Sequence, residues 1–374
     1  MRIGILVLMA GRNAGGPETY EVELIRALLR IDRKNEYFIY CTTSKAREAI
    51  AVEQPNISWR LLQPSARVVS IAVSFPWLAL RDRLDMYHAT FTPAPISTRP
   101  FVFTMHCISS LVHPEFYKPA TAFRLNMLLK RGMAKASHIL CVSRTTMQHL
   151  EERYHVPPER MSVAYNGVTP GFCLVAPQAA RERVTQMIGI DSPYFLFVGK
   201  LQAHKNIVRL IEAFAVFRKE TRSQAKLVIA GRPTGNAVNP RAVARQLGLE
   251  NEVVQAGYVP HCDLPALYSA ARAFVFPSLW EGFGIPLLEA MSCGVPVISS
   301  NSTCLPEIAG GAARLFDPYS VQELAEALTE IDSSERERQR LIQLGFARTQ
   351  EFTWDGCAAA TLKSYEDVHR VKSH

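Results

Sequence analysis

Phe276-Pro277-Ser278-Leu279-Trp280-Glu281-Gly282-Phe283-Gly284-Ile285-Pro286-Leu287-Leu288-Glu289-Ala290-Met291-Ser292-Cys293-Gly294-Val295-Pro296 carries more information than any other stretch of the chain. An apolar run, 273–276, reads as a short buried strand that stops at Pro277. The spacing then predicts a helix over 285–293, with a glycine-containing loop between. The first N–H groups of a helix have no partner within it and sit at the positive end of its dipole, so they suit an anion such as phosphate. Gly282 and Gly284 let a ligand approach the backbone closely. Glu281 stands at the loop mouth, and Glu289, eight residues on, is about two turns into the segment. Carboxylates accept several hydrogen bonds and suit sugar or ribose hydroxyls. The plainer reading is a capped helix carrying two solvated glutamates.

The same alternation extends in both directions. Upstream lie a strand at 194–198, a helix at 207–218, strands at 226–230 and 253–255, and a helix at 264–271. Downstream a strand follows at 295–299, and the tail from 320 is mostly helical. The first half repeats the theme. A strand covers 2–9, and a helix covers 17–30, with Pro17 at its start and Val22, Leu24, Ile25, Leu28 and Leu29 on its inner face. Strands follow at 37–41, 57–62, 101–105 and 138–142. A helix at 121–135 has Thr121 as its candidate N-cap. Strands alternating with helices imply parallel pairing in a doubly wound α/β fold. Asn166-Gly167 and Thr169-Pro170-Gly171 form a turn-rich break, so a linker is placed near 167–192. The expectation is two Rossmann-like domains, 1–170 and 171–354, facing a central cleft, with a helix at about 355–374 packing back on the first. Open α/β sheets bind ligands at the carboxyl ends of their strands.

A chain of 374 residues suits two domains, and 48% hydrophobic against 20% charged residues excludes general disorder. No apolar run reaches the roughly 18 residues of a membrane span; the longest, 68–80, contains Pro76. The N-terminal apolar run leads straight into glycines and reads as a strand, not a signal peptide. Eight scattered cysteines with no C-x-x-C pair argue against zinc and thioredoxin-type chemistry and fit a reduced, cytoplasmic setting. Charge is uneven. Residues 1–170 hold 21 Lys and Arg against 13 Asp and Glu, and the remainder holds 21 against 21, so the whole +8 lies in the first half. That points to an anionic partner there, either phosphate groups or an acidic membrane surface, against a simply solvated basic face. Arg67–Arg83 and Tyr117–Lys135 combine apolar and basic residues in the manner of segments that lie on a membrane.

Three further groups could carry chemistry. Gly199-Lys200 follows a strand, and Lys205 precedes the next helix; both lysines can neutralise a diphosphate leaving group. Gly15-Gly16 lies between the first strand and first helix, where a plain turn is the competing reading. His106 follows the strand at 101–105 and points to the same end of its sheet.

These residues resemble retaining glycosyltransferase family 4, glycosyl transferases group 1, with the GT-B fold. Glu281 to Glu289 looks like the family's E-x7-E signature, Pro277 to Gly284 its P-S-x-x-E-G-F-G, and Cys293 to Val297 its C-G-x-P-V. Asn166-Gly167-Val168, Gly257-Tyr258-Val259 with Leu264 to Tyr268, and Leu305-Pro306-Glu307 with Asp317-Pro318 resemble further family words. The resemblance implies that Lys200 and Lys205 bind the donor diphosphate. It implies that Glu281, with Gly282 and the backbone of Phe283, Gly284 and Ile285, holds the transferred sugar, and that Glu289 binds the ribose. Gly15 and Gly16 would line the diphosphate and acceptor side, His106 would lie near the donor sugar, and Ser143 would be structural. Three positions depart from the pattern: Lys200 stands where Arg is usual, His204 precedes Lys205 where Arg is common, and Cys107 follows His106 where Asp is common. Lysine supplies a point charge without the guanidinium fork.

The implied reaction is front-face transfer of a hexose with retention, which needs charge stabilisation on the phosphates more than a protein base. With no D-x-D word, no metal and no cofactor is expected beyond the nucleoside diphosphate sugar. The second-half words most resemble mannosyltransferases that use GDP-mannose, acting on a saccharide or lipid-linked saccharide acceptor in polysaccharide assembly. The setting would be cytoplasmic, peripheral at the inner face of the membrane, with no nucleic-acid partner. A UDP-sugar-dependent relative, an epimerase or phosphorylase on the same fold, and a non-catalytic shell are the alternatives.

Overall fold

The structure, a computed structural model, describes residues 1–64, 66, 69–233 and 239–372. The chain divides into two compact units. The first comprises Met1–Val112, Ala120–Gly167 and Thr353–His374; the second comprises His113–Pro119 and Val168–Phe352.

The first unit is built on a seven-stranded sheet. Its strands are β1 (Arg2–Val7), β2 (Glu36–Cys41), β3 (Ile57–Leu61), β4 (Met86–Ala89), β5 (Phe101–Met105), β6 (His138–Cys141) and β7 (Met161–Val163). The spatial order is β3-β2-β1-β4-β5-β6-β7. Every adjacent pair is parallel. Ile5, for example, aligns with Ile39 on one side and His88 on the other. The order reverses at β1 and β4, the switch point at which doubly wound sheets bind ligands. A parallel sheet covered on both faces needs strands that are apolar throughout, and β1, β2, β4, β5 and β6 are almost wholly buried.

The second unit holds β8 (Tyr194–Val198), β9 (Lys226–Ala230), β10 (Val253–Gly257), β11 (Ala273–Phe276), β12 (Val297–Ser300) and β13 (Ala313–Phe316), in the order β10-β9-β8-β11-β12-β13, again all parallel. At the ends of β8 and β9 two backbones nearly touch. A Cβ on Gly231 would lie 1.7 Å from the Gly199 carbonyl oxygen, so no other residue fits there.

Both sheets and their alternation with helices agree with the sequence reading, and several details correct it. Strands β4, β7 and β13 are too short or too mixed to read by pattern; β4 carries the buried His88 in its middle. The proposed linker at 167–192 contains a helix, Pro177–Ile188. The helix expected at 121–135 starts at Pro119, which removes Thr121 from the capping position. Residues 113–119, read as part of the first domain, belong to the second unit. Arg67 and Val68, at the head of one proposed amphipathic segment, lie outside the described residues, but Ser70–Ser74 and Phe75–Arg81 are helical. The last helix, Trp354–Lys372, places Trp354, Cys357, Ala358, Tyr365 and Val368 in the core of the first unit, beside the inner face of the helix Gly16–Ile31.

Candidate active site

In the second unit, β8 and β11 are neighbours, so the segments leaving their carboxyl ends are brought together. After β8 the chain passes Lys200, which is exposed, and makes a tight turn at Ala203–Lys205. Asn206 takes a left-handed conformation (φ 59°) and donates to the Pro318 carbonyl at 2.7 Å, which fixes the exit into the helix Ile207–Thr221. After β11 the loop runs through Ser278 to Gly284. Gly284 has φ 94° and opens the helix Ile285–Ser292; the positive φ is the reason a glycine stands there.

This juxtaposition makes an ion pair between Lys205 Nζ and Glu281 Oε1, with both side chains mostly buried. The ammonium also lies 4.8 Å from the centre of the Phe276 ring. Burial on its own would raise the Glu281 carboxyl, but the charge of Lys205, with His204 and the bonds from Lys205 and Ser278, brings it below the ordinary range. Burial, reinforced by Lys205, pushes His204 down to about 4, so its ring is neutral at pH 7.

The loop is pinned by hydroxyls that the sequence reading did not single out. The amide of Glu281 donates to Thr303 Oγ1 at 3.1 Å. Ser300 and Ser302 donate to the carbonyls of Ser278 and Leu279, both at 2.6 Å. The Leu279 amide donates to the His204 carbonyl at 2.7 Å and so ties the two loops directly. Phe283 and Ile285 are buried, and Phe283 meets Phe352 edge-on at 5.8 Å.

Glu289 is also buried, and among the described residues it makes no ion pair. Thr169 Oγ1 donates to its Oε1 at 2.8 Å and the Tyr268 hydroxyl to its Oε2 at 3.4 Å. Burial raises the carboxyl to about 7, against the pull of those two bonds. The two glutamates of one sequence word therefore have opposite electrostatics: one is held ionised, and the other is poised near neutrality.

In the first unit, Gly15 (φ 71°) caps the helix Gly16–Ile31, and its carbonyl accepts from Glu18 and Thr19. The loop before it is wrapped on two carboxylates of that helix. Glu18 accepts from the amides of Gly11 (2.7 Å) and Ala14 (2.6 Å). Glu21, wholly buried, accepts from the amides of Leu8, Met9 and Ala10 and from Thr90 Oγ1. Neither glutamate was singled out from the sequence. His106, after β5, donates from Nε2 to the Thr90 carbonyl at 2.7 Å and meets Tyr20 edge-on at 4.5 Å. Burial lowers it to about 4, so it is neutral at pH 7; with Nε2 carrying the proton, Nδ1 is an acceptor. Ser143 caps the helix Arg144–Tyr154 by accepting from the Thr146 amide, a structural task.

Among the described residues no cluster of three or more His, Cys, Asp or Glu could hold a metal ion, and no helix is long and apolar enough to cross a membrane. The arrangement offers a cation and an ionised carboxylate beside a helix start, which suits phosphate and sugar hydroxyls together.

Known proteins share this architecture. Residues 14–172 match the model of Glycosyltransferase Family 4, and residues 180–348 match that of Glycosyl transferases group 1. The chain is 31% identical over 311 residues to an O-antigen chain mannosyltransferase B of Escherichia coli, covering 83% of this chain and 79% of that protein. It is 29% identical over 260 residues to the O-antigen chain mannosyltransferase RfbU of Salmonella typhimurium, covering 68% and 69%. The crystal structure of Anabaena Alr3699/HepE in complex with UDP and glucose superposes with a TM-score of 0.76 at 20% identity, over 98% of this chain and 100% of that one. With one model on each half and a mannosyltransferase relative matched along most of both chains, the protein is a glycosyltransferase of the GT-B fold and belongs to glycosyltransferase family 4.

Proposed function

We propose that the chain transfers mannose from GDP-mannose, with retention, to a saccharide or lipid-linked saccharide acceptor during assembly of a cell-surface polysaccharide. The choice of sugar and pathway is supported by the two O-antigen mannosyltransferases it resembles. The observation that carries the chemistry is the Lys205–Glu281 pair at the carboxyl ends of adjacent strands. Lys205 stabilises the charge that grows on the departing diphosphate, helped by the start of the helix Ile285–Ser292 and by Lys200. Glu281, kept ionised, accepts hydroxyl bonds from the transferred sugar. Glu289 takes the ribose, and neutral His106 accepts from a sugar hydroxyl through Nδ1. Gly15 and Gly16 line the acceptor side. Fixed protein charges replace a metal, so activity survives chelator. The enzyme works in the cytoplasm, with the basic first half against an anionic membrane.

A second reading, with a UDP-sugar as donor, is favoured by the UDP and glucose held by the similar Anabaena protein. Thermal-shift titration with GDP, GDP-mannose, UDP and UDP-glucose separates the two, since a ligand bound only by the native state raises Tm. Stabilisation by GDP-mannose and mannose transfer to an acceptor, undiminished by EDTA, is the expected result. Stabilisation by UDP-sugars alone overturns the donor assignment. A sugar altered in donor-only incubation overturns transferase in favour of epimerase.

A further inference from the structure

We infer that Arg99, Arg131 and Lys135 form a binding site for the phosphate of a lipid headgroup on the first unit. The three cations line a cavity of about 440 Å³, with Ile96 and Phe101 in its wall and no acidic residue. Phe101 begins β5, so the cavity lies at the opposite end of the sheet from His106, Gly15 and Gly16, which follow the ends of β5 and β1. It is therefore no part of the proposed donor site.

Arg26, Arg30 and Arg60 of the same unit are paired with carboxylates, whereas among the described residues Arg99, Arg131 and Lys135 make no ion pair. Arg99 Nε is buried without a hydrogen-bond partner. Among the described residues Arg131 donates one long hydrogen bond, 3.5 Å, to the Ala94 carbonyl. Two guanidinium forks and one ammonium match the oxygens of a phosphate group, which would supply acceptors to all three.

The surroundings select a lipid source. Phe123, Met127, Arg131 and Lys135 follow one another at four-residue steps along one helix face. Phe123 is 73% exposed and Met127 is 55% exposed. Ile96, at the cavity, is 60% exposed, and the same loop bonds through Thr98 to the Pro76 carbonyl beside Trp77, 61% exposed. Large exposed apolar and aromatic groups around a basic cavity fit the boundary between headgroups and acyl chains; a free phosphate has no use for them. The lipid choice rests on the membrane-surface reading given above.

Flotation of the full chain with vesicles tests it. Wild type should float with phosphatidylcholine vesicles containing phosphatidylglycerol and not with phosphatidylcholine alone. The triple variant Arg99→Gln, Arg131→Gln, Lys135→Gln should partition roughly 100-fold less, at about fivefold per basic residue. The variant Phe123→Ser, Met127→Ser should also be weakened. Both should keep the wild-type Tm shift with donor. A control triple variant, Arg33→Gln, Lys34→Gln, Arg153→Gln, removes as much charge elsewhere on the unit and should retain most binding. No flotation of wild type overturns the membrane reading and the site with it. Equal loss in the control overturns the site and leaves the membrane reading standing. Stabilisation by inorganic phosphate that the triple variant at the cavity loses, with the Phe123 and Met127 changes without effect on flotation, overturns the lipid assignment in favour of a free anion.

Discussion

Two glutamates eight residues apart differ because their neighbours differ. Glu281 faces an ammonium, and Glu289 faces two hydroxyls. Lys205→Ala removes the cation proposed for the diphosphate, and one preformed charge donor is worth about 3 kcal/mol at the transition state. Its kcat/KM should fall by roughly 100-fold or more in a protein that is still folded by circular dichroism; near-wild-type kinetics would overturn the role. Glu289 makes a prediction about pH. Its folded carboxyl titrates at about 7, above its ordinary 4.5, because of burial. The unfolded chain therefore releases that proton first. Between about 4.5 and 7 each rise in pH favours unfolding, and above 7 the loss is complete. Glu289→Gln abolishes this contribution. Its stability relative to wild type should grow by on the order of 1–3 kcal/mol from pH 4.5 to 7 and then level off. Urea midpoints of both proteins at pH 5, 7 and 8 check this, and a constant difference would contradict the assignment.

At the scale of elements, the loops at strand ends are held by residues outside them. The loop after β1 is the clearest case: three successive amides and the Thr90 hydroxyl end on the Glu21 carboxylate. Glu21→Gln keeps the shape but turns an acceptor oxygen into a donor facing amides. The cost should be about 1–3 kcal/mol for each amide left without a partner, read as a lower urea midpoint, with weaker donor binding if the loop shifts. A signal for Glu21 existed in the sequence. It stands four residues before Ile25 and seven before Leu28, on the core-facing side of its helix, where a carboxylate has to find donors. The Lys205–Glu281 neighbourhood was legible because strand, glycine loop and helix start recur together in a recognisable word. Thr169 was not: it lies 120 residues from Glu289, and the bond between them exists only once the second unit has folded. Ser300, Ser302 and Thr303 were hidden for the same reason, since a hydroxyl in a loop has no periodicity. Strand β4 was missed because four residues with a histidine among them show neither alternation nor an apolar run. His88 is tolerated there because Tyr365 and Thr104 satisfy its two nitrogens, both at 2.7 Å.

On the scale of the whole chain, sequence order and compactness disagree. The first unit closes only with residues from Thr353 onward, which follow the entire second unit. The helix Trp354–Lys372 contributes Trp354, Cys357 and Tyr365 to the core built on β1, β2 and the helix Gly16–Ile31. Its Tyr365 hydroxyl also reaches His88 Nδ1 inside the sheet. Removing residues 353–374 exposes the apolar face of the helix Gly16–Ile31 and leaves His88 with an unmatched nitrogen. Burying one large side chain is worth about 1.5–3 kcal/mol, so the loss of Trp354, Tyr365 and Val368 together approaches the whole stability of an ordinary domain. A chain ending at Phe352 should therefore lose protection from hydrogen exchange throughout the first unit, while β8–β13 keep theirs. The missing helix supplied as a separate peptide of residues 353–372 should restore protection to the first unit. Tyr365→Phe alone should cost far less, about 1–3 kcal/mol, because only the His88 bond is lost. Uniform loss of protection in both units would show that they unfold as one, and unchanged protection of β1 and β2 would show that the last helix is dispensable to the first unit's core.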